Sequence, residues 1–242
     1  MRTIWDLDYV GNGSPMQLLD VYLPEGEAFD TLVFFHGGGL ERGDRKRAER
    51  FLPLVDRGIA IVSAEYRMLP DAHFPDFLHD AAAAVAYTQK HMAQWGANGR
   101  LFVSGSSAGA WISMMLLLDP QYYAAAGADA DAVTGYISNS AQQFAHFALL
   151  KDRGFDSRIE RIDETAPISF VHEGLSIKPL LMIYYSGDML CRPEENRLMY
   201  ASMKRFLPEP AVLELRMIEG GHCKPDDNSE LIDAFDTFIR NN

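Results

Sequence analysis

Residues Leu101–Leu118 read LFVSGSSAGAWISMMLLL, an apolar run, a glycine- and serine-rich turn and a second apolar run of helical length. A strand, a sharp turn with a serine at its tip and a helix together form a nucleophile elbow. The residue at the tip takes a strained backbone conformation, and flanking glycines lack the Cβ atoms that would clash there. The stretch therefore predicts an α/β fold with a helix over Ala108–Leu118 and Ser107 as a nucleophile. The neighbouring Ser106 should point away from the cleft.

A second glycine-rich turn, His36–Gly39, directly follows Thr31–Phe35, a run typical of a buried strand. Three consecutive glycines let the backbone approach a ligand closely and turn its N–H groups toward it. Acyl transfer needs such donors, because negative charge builds on the carbonyl oxygen in the tetrahedral intermediate. A phosphate-binding loop is the alternative, but this turn lacks the lysine and hydroxyl of a P-loop and the spacing of a dinucleotide fingerprint. The turn therefore favours an oxyanion hole, in which His36 has a structural role.

An acid and a histidine follow two late strands in the order expected after a serine nucleophile. Asp188 comes shortly after the apolar run Lys178–Tyr185, and His222 comes shortly after Val212–Ile218. Ligands bind at the carboxyl edge of open parallel sheets, so these two side chains should meet there. Asp188 would orient the ring of His222, and His222 would take the proton of Ser107 and return it to the leaving group. Such a base predicts a pH limb at about 6 to 7.

Other residues compete for the roles of acid and base. Glu219 is too close in sequence to His222 to come from the preceding strand end. Asp226 and Asp227 follow the histidine and break the order serine, acid, histidine. His222 is preferred as the base over the six other histidines, which are His36, His73, His79, His91, His146 and His172.

Taken together, these motifs resemble the α/β-hydrolase superfamily of esterases and lipases with an HGGG loop. The similarity is greatest to its hormone-sensitive-lipase-like and bacterial feruloyl or acetyl esterase-like branch. It runs through most of the chain and includes further segments, namely Leu19–Pro24, Gly43-Asp44, Glu65–Pro70, Phe74-Pro75, Gly187-Asp188 and Gly221-His222. The resemblance implies that Gly38, Gly39 and Ala108 donate to the oxyanion. Leu40 replaces an aromatic residue of many relatives and Ser106 replaces an acid, which leaves the subfamily and the substrate open.

The resemblance implies a serine carboxylic ester hydrolase that acts on short-acyl esters, with acetyl and feruloyl esters of sugars as candidates. An arylformamidase-type amidase with the same triad is one alternative. A binding protein that kept the fold without catalysis is another, since fold alone does not give function. A small-molecule ester is the expected partner. Neither a cofactor nor a metal is expected, because serine, histidine and aspartate with an oxyanion hole can carry out acyl transfer by themselves.

Length and charge agree with one globular enzyme domain over residues 1–242. The chain carries a formal net charge of −12, which disfavours nucleic acid and anionic membranes as partners. No stretch reaches the roughly 18 apolar residues of a membrane helix. The first residues, Met1–Asp8, do not resemble a secretory signal, and a cytoplasmic location is expected. A homodimer is left open.

The hydrophobic pattern predicts a mostly parallel sheet of eight strands flanked by helices, with an antiparallel hairpin at one edge formed by the first two strands. One helix is expected over Arg45–Arg57 and a loop over Tyr122–Val133. Residues 141–175 are expected to form a small cap. Within it, Gln142–Leu150 either forms a cap helix with Phe144 and Phe147 facing the cleft or packs on the core. The two cysteines, Cys191 and Cys223, are either unrelated free thiols or an oxidation-sensitive pair beside the triad.

Overall fold

A computed structural model describes all residues of the chain, 1–242. Its centre is one twisted sheet of nine strands. In chain order these strands are β1 (Arg2–Asp8), β2 (Leu18–Leu23), β3 (Phe29–Phe35), β4 (Ile59–Ala64), β5 (Ala97–Ser106), β6 (Gly135–Asn139), β7 (Leu180–Gly187), β8 (Leu213–Gly221) and β9 (Lys224–Pro225).

The strands lie in the order β1-β2-β4-β3-β5-β6-β7-β8-β9. Within this order, the neighbouring strands β4-β3-β5-β6-β7-β8 all pair in parallel. The pairs β1 with β2, β2 with β4 and β8 with β9 are antiparallel. The mostly parallel sheet and its antiparallel edge hairpin are as predicted. The predicted count of eight strands was wrong by one. The additional strand, β9, has two residues paired with Gly220 and Gly221, which is too short to produce a hydrophobic pattern.

Seven α-helices flank the sheet. They are α1 (Leu52–Asp56), α2 (Asp76–Trp95), α3 (Ala108–Leu118), α4 (Gln121–Ala126), α5 (Phe147–Asp152), α6 (Arg192–Phe206) and α7 (Asn228–Asn241). Short 3₁₀ helices add three further turns, at Pro15–Gln17, Arg45–Phe51 and Pro167–Phe170. No helix combines the length and the hydropathy that a membrane crossing requires.

Two expected elements differ in the structure. The segment predicted as one helix over Arg45–Arg57 is a 3₁₀ helix followed by α1, and Pro53 lies in the first turn of α1, where its missing N–H costs nothing. The predicted loop over Tyr122–Val133 begins with α4. Two tyrosines of α4 are buried, so packing stabilises a short helix that ends at Gly127 with a φ of 67°.

Apolar cores cover both faces of the sheet. Strand β3 is buried along its whole length, and its side chains alternate between the two cores. One core contains Trp111 of α3 and the apolar face of α2. In the other, Phe51 packs 4.8 Å from Phe34 and 5.0 Å from Phe235 of α7, measured between ring centroids. Burial on both faces explains why the central strands are continuous apolar runs.

Residues 141–175 contain α5 and one 3₁₀ helix and are otherwise irregular. The indole N–H of Trp111 donates to the carbonyl oxygen of Thr165 at 3.0 Å and ties this segment to α3. Helix α5 both packs on the core and faces the cleft, so it combines the two alternatives expected for Gln142–Leu150. Its residues Ala148–Leu150 are buried, whereas Phe147 lines the cleft at the carboxyl edge of the sheet. Phe144 precedes the helix and does not line that cleft.

Candidate active site

Ser107 lies at the tip of the turn between β5 and α3. Its φ of 55° and ψ of −115° are strained for a residue with a side chain. A Cβ on Gly105 would lie 2.1 Å from the carbonyl carbon of Gly109, and a Cβ on Gly109 would lie 2.0 Å from the oxygen of Phe35. The two glycines therefore permit the close passage of strand and helix that holds Ser107 in place. The hydroxyl of Ser106 accepts from Asn139 Nδ2 at 3.0 Å and does not turn to His222.

His222 lies beside Ser107, just after β8. Its Nε2 is 2.8 Å from Ser107 Oγ, and its Nδ1 is 2.5 Å from Asp188 Oδ1. Asp188 follows β7, which pairs in parallel with β8 so that Gly187 lies opposite Gly221. Adjacent strand ends thus bring together residues that are far apart in sequence, and the three predicted side chains form one hydrogen-bonded chain.

The carboxylate of Asp188 is fully enclosed, with a side-chain exposure of 0 %. Ser140 Oγ donates to its Oδ2 at 2.6 Å, Met189 N donates to Oδ1 at 2.8 Å and Tyr185 N donates to Oδ2 at 3.2 Å. Burial acts to raise the pKa of Asp188, but the hydrogen bonds from His222 and Ser140 outweigh it and lower the pKa. The carboxylate is therefore ionised and faces His222 as an acceptor only.

Ser140 is part of this arrangement and was missed by the sequence reasoning. It follows β6, the strand next to β7, and its Oγ also lies 3.0 Å from His222 Nδ1. The buried guanidinium of Arg192 donates to the Ser140 carbonyl oxygen at 2.6 Å and so supports its backbone, which has a φ of 62°. Ser140 directly follows a strand of the same parallel sheet, and this position in the sequence could have indicated that it lies near the site.

The His222 ring has an unusually high affinity for a proton. Burial acts to lower the pKa of His222, but its hydrogen bonds to Asp188 and Cys223 outweigh this effect and raise the pKa to about 9. Below the unfolded value of about 6.5 the protonated ring stabilises the native state. That stabilisation is lost as the pH rises through about 9.

This pKa sets the expected pH profile of any reaction in which His222 is the base. Only the neutral ring can accept a proton, so kcat/KM should rise about tenfold per pH unit and level off near pH 9. This expectation lies above the limb of about 6 to 7 that an ordinary histidine predicts. The pH profile is measured from initial rates between pH 5 and pH 10 in a pH-stat, with the spontaneous hydrolysis subtracted. A limb centred below pH 7 would contradict the raised pKa of His222.

The glycine turn faces Ser107 from the end of β3. A Cβ on Gly38, whose φ is 139°, would lie 1.6 Å from the carbonyl oxygen of Arg42, so glycine is required there. The N–H groups of Gly38 and Gly39 make no hydrogen bond within the protein. Ala108 is the first residue of α3, and its N–H has no partner within that helix. Gly38 and Gly39 border a cleft of about 510 Å³ that is also lined by Ser107 and His222.

His36 supports the glycine turn from behind. Its side chain is fully buried, its Nε2 lies 2.9 Å from Glu65 Oε1 and its ring stacks on Tyr66 at 4.4 Å. Tyr66 in turn donates its hydroxyl to the His36 carbonyl oxygen at 2.8 Å. The histidine therefore shapes the loop and does not reach the cleft, in agreement with the structural role expected of it.

The rejected candidates have other contacts. Asp227 caps α7 through the Ser229 N–H at 2.8 Å, and Glu219 accepts from the Ser186 hydroxyl at 2.5 Å. His146 is buried and accepts from the N–H of Ala148 at the start of α5. Burial and the charge of Arg192 lower the pKa of His146 to about 3, so it remains neutral.

The two cysteines are free. Cys223 Sγ lies 3.6 Å from the Asn139 carbonyl oxygen and 3.9 Å from His222 Nε2, so one thiol borders the cleft. Cys191 precedes α6 with a φ of 66°. The idea of an oxidation-sensitive pair stays a prediction.

Comparisons with known proteins come from sequence and from structure. The model of the BD-FAE family matches residues 19–144, just over half of the chain, which includes the glycine turn and Ser107. Lipase 2 of Moraxella sp. (strain TA144) is 38 % identical over 89 residues, which cover 36 % of this chain and 21 % of that protein. Esterase LipI of Mycobacterium tuberculosis is 32 % identical over 96 residues, covering 38 % and 30 %. An acetyl esterase of Salmonella paratyphi B is 27 % identical over 97 residues, covering 39 % and 30 %. The chain thus matches between about a fifth and a third of the length of these curated relatives.

Solved structures match the whole fold. A truncated carbohydrate esterase from gut microbiota superposes with a TM-score of 0.78 at 16 % identity, covering 99 % of this chain and 97 % of that one. Esterase B of Lactobacillus rhamnosis gives a TM-score of 0.78 at 18 % identity, covering 99 % and 86 %. At these identities the likeness establishes the α/β-hydrolase fold.

Proposed function

The chain belongs to the BD-FAE family of the α/β-hydrolase superfamily, and on this basis we propose that it is a serine carboxylic ester hydrolase acting on short-acyl esters. One observation carries the proposal. Ser107 Oγ, His222 and Asp188 form a continuous hydrogen-bonded chain, with 2.8 Å and 2.5 Å between the bonded atoms, beside a turn whose N–H groups are unpaired. This is the arrangement that nucleophilic acyl transfer requires.

In the proposed reaction Ser107 Oγ attacks the ester carbonyl carbon while His222 Nε2 takes the hydroxyl proton. The carbonyl oxygen becomes an oxyanion and accepts hydrogen bonds from the N–H groups of Gly38, Gly39 and Ala108. When the intermediate collapses, the bond to the alcohol oxygen breaks and His222 gives that oxygen the proton. Water then attacks the acyl-enzyme in the same way, and Ser107 is regenerated with release of the acid.

Asp188 and Ser140 act on the substrate through His222. Asp188 accepts a hydrogen bond from the Nδ1–H group of the ring, which leaves Nε2 free to act as the base. The negative charge of the carboxylate stabilises the imidazolium that forms when Ser107 loses its proton. Ser140 Oγ donates to the second carboxylate oxygen at 2.6 Å, and Ser140 is proposed as a positioning residue.

The dimensions of the cleft support a short acyl group. Its volume of about 510 Å³ lies in the lower half of the range of ligand sites, about 300 to 1,000 Å³. The Phe147 ring closes it above the glycine turn, where a Cβ on Gly39 would lie 3.1 Å from Phe147 Cζ. One of the relatives is named an acetyl esterase. Acetyl esters of sugars are therefore candidate substrates, with feruloyl esters as the larger alternative.

We also propose that residues 1–242 act as one domain, because all nine strands belong to a single sheet and the site draws on five of its connections. Residues 141–175 contribute only α5 to the rim of the cleft. A cytoplasmic location fits the two free thiols, since thiols stay reduced there.

Hydrolysis of p-nitrophenyl esters over a range of acyl lengths tests the proposed function. We expect kcat/KM to be highest for acetate to butyrate and to fall by at least about tenfold for octanoate, because the Phe147 ring lies against the glycine turn and occupies space in the cleft there. The variant Phe147→Ala should shift the optimum toward longer chains. The conservative variant Phe147→Leu is the matched control and should shift it less. A wild-type optimum at octanoate or beyond, or hydrolysis of none of the esters, would contradict the proposal.

A further inference from the structure

Four cationic side chains border the same cleft, namely Arg42, Arg47, Arg50 and Lys224. Three come from the segment after the glycine turn, and Lys224 comes two residues after His222. The cations therefore belong to two segments that border the cleft of Ser107, one after the glycine turn and one after His222. The cleft contains one carboxylate, Glu41, whose Oε1 lies 2.9 Å from Lys151 Nζ and is thus already paired.

Three of these four cations lack protein partners. The side chains of Arg42, Arg47 and Lys224 make neither a hydrogen bond nor an ion pair. Arg50 donates to the Cys223 carbonyl oxygen, beside the histidine, and forms no ion pair. Most arginines outside the cleft do pair with carboxylates, as Arg45 does with Asp20 at 2.8 Å and Arg67 does with Asp80 at 2.8 Å.

The concentration of unpaired positive charge contrasts with the rest of the chain. The protein has 34 acidic and 22 basic residues and a formal net charge of −12. An acidic protein repels anions at long range, so a local group of cations is needed if an anion is to bind near its surface. Guanidinium groups suit this purpose because their planar N–H donors match the two oxygens of a carboxylate.

We propose that the natural substrate is an anionic ester, whose carboxylate is bound by Arg42, Arg47 and Lys224 while its ester group lies at Ser107. The carboxylate belongs either to a dicarboxylic acyl group or to an acidic sugar on the alcohol side. This inference rests on the proposed esterase function and specifies the substrate of that same cleft. Arg50 has a different task, because its contact with Cys223 supports the loop that carries His222.

Two matched ester pairs test the charge preference. Mono-4-nitrophenyl succinate and 4-nitrophenyl butyrate have acyl chains of similar length that differ in a terminal carboxylate. Acetylated glucuronic acid and acetylated glucose differ in a carboxylate on the alcohol side. At an ionic strength of about 0.02 M, where screening is weak, we expect kcat/KM for the anionic member of at least one pair to exceed that of its neutral partner by about five- to tenfold.

The double variant R42Q/R47Q should reduce that ratio to about 1 to 2, since it removes two of the three unpaired cations. Arg205→Gln makes the same kind of substitution at one exposed arginine that does not line the cleft, removes one positive charge and should leave the ratio unchanged. If the double variant does not fold, the wild type is decisive: about 0.5 M NaCl should reduce the ratio toward 1 through screening.

The outcomes separate the two proposals. A ratio near or below 1 for both pairs, or a high ratio that neither the double variant nor salt reduces, would overturn the anionic substrate while leaving esterase activity established. Failure to hydrolyse any of the four esters faster than Ser107→Ala would instead overturn the esterase function. A preference in the first pair alone assigns the carboxylate to the acyl side, and a preference in the second pair alone assigns it to the alcohol side.

Discussion

Replacing Ser107 with alanine is expected to lower kcat for ester hydrolysis by about 10⁴- to 10⁶-fold. The variant loses the oxygen that attacks the carbonyl, and the water that could replace it is not held 2.8 Å from His222 Nε2 as the hydroxyl is. Alanine keeps the Cβ and fits the same strained turn, so the thermal midpoint should change little. Initial rates with p-nitrophenyl acetate and a thermal melt measure both effects.

The adjacent serine provides the control. Ser106 lies in the same turn, but its hydroxyl bonds to Asn139 Nδ2 at 3.0 Å, so Ser106→Ala should keep kcat within about tenfold of the wild type. An active-site phosphonate should add one covalent group to the wild type and to Ser106→Ala and none to Ser107→Ala, as seen by intact-mass spectrometry. A Ser107→Ala variant with more than a tenth of the wild-type rate would exclude Ser107 as the nucleophile.

Replacing Asp188 with asparagine should lower kcat by about 10⁴-fold. Every contact of the carboxylate is with a donor, including the backbone N–H groups of Tyr185 and Met189 on its two oxygens. Whichever way the amide turns, its NH₂ group meets a backbone N–H and one buried donor loses its acceptor. If NH₂ faces the ring, His222 takes the tautomer with its proton on Nε2 and cannot accept from Ser107.

The pH limb and a control variant distinguish this role from a general loss of structure. Because the charge and hydrogen bond of Asp188 help to raise the pKa of His222 to about 9, the pH limb of the residual activity should move down toward the ordinary range of about 6.5. Asp226→Asn changes an exposed acid near the same histidine and should leave rate and limb unaltered. An Asp188→Asn enzyme with an unshifted limb would mean that another group raises the pKa.

Much of the fold follows from local patterns. The helix α3 begins and ends where its apolar run predicts, because a buried element has a continuous apolar stretch between polar breaks. The errors lie where local signals are weak. Strand β9 has two residues, α4 is stabilised by the burial of its tyrosines, and the turn at Arg45–Phe51 takes 3₁₀ geometry ahead of Pro53.

The candidate site was predictable in part for a related reason. The serine, the acid and the histidine each follow a strand, and parallel strands end at one edge, so their meeting could be inferred without coordinates. Ser140 was missed because it carries no motif. Its role comes from one hydroxyl reaching Asp188 at 2.6 Å and from the support of a buried arginine.

Residue order and hydrophobic periodicity are thus sufficient for the fold class, for the elbow at Ser107 and for the selection of Asp188 and His222, because all of these depend on neighbours along the chain. The pKa of His222 and the grouping of four cationic side chains at the cleft were decided only by the tertiary structure. The pKa of His222 depends on burial and on charges a few ångströms away. The formal net charge of −12 does not indicate that folding brings four cations to one cleft. Distances between segments remote in sequence are set when the chain packs, and electrostatic interactions depend on those distances.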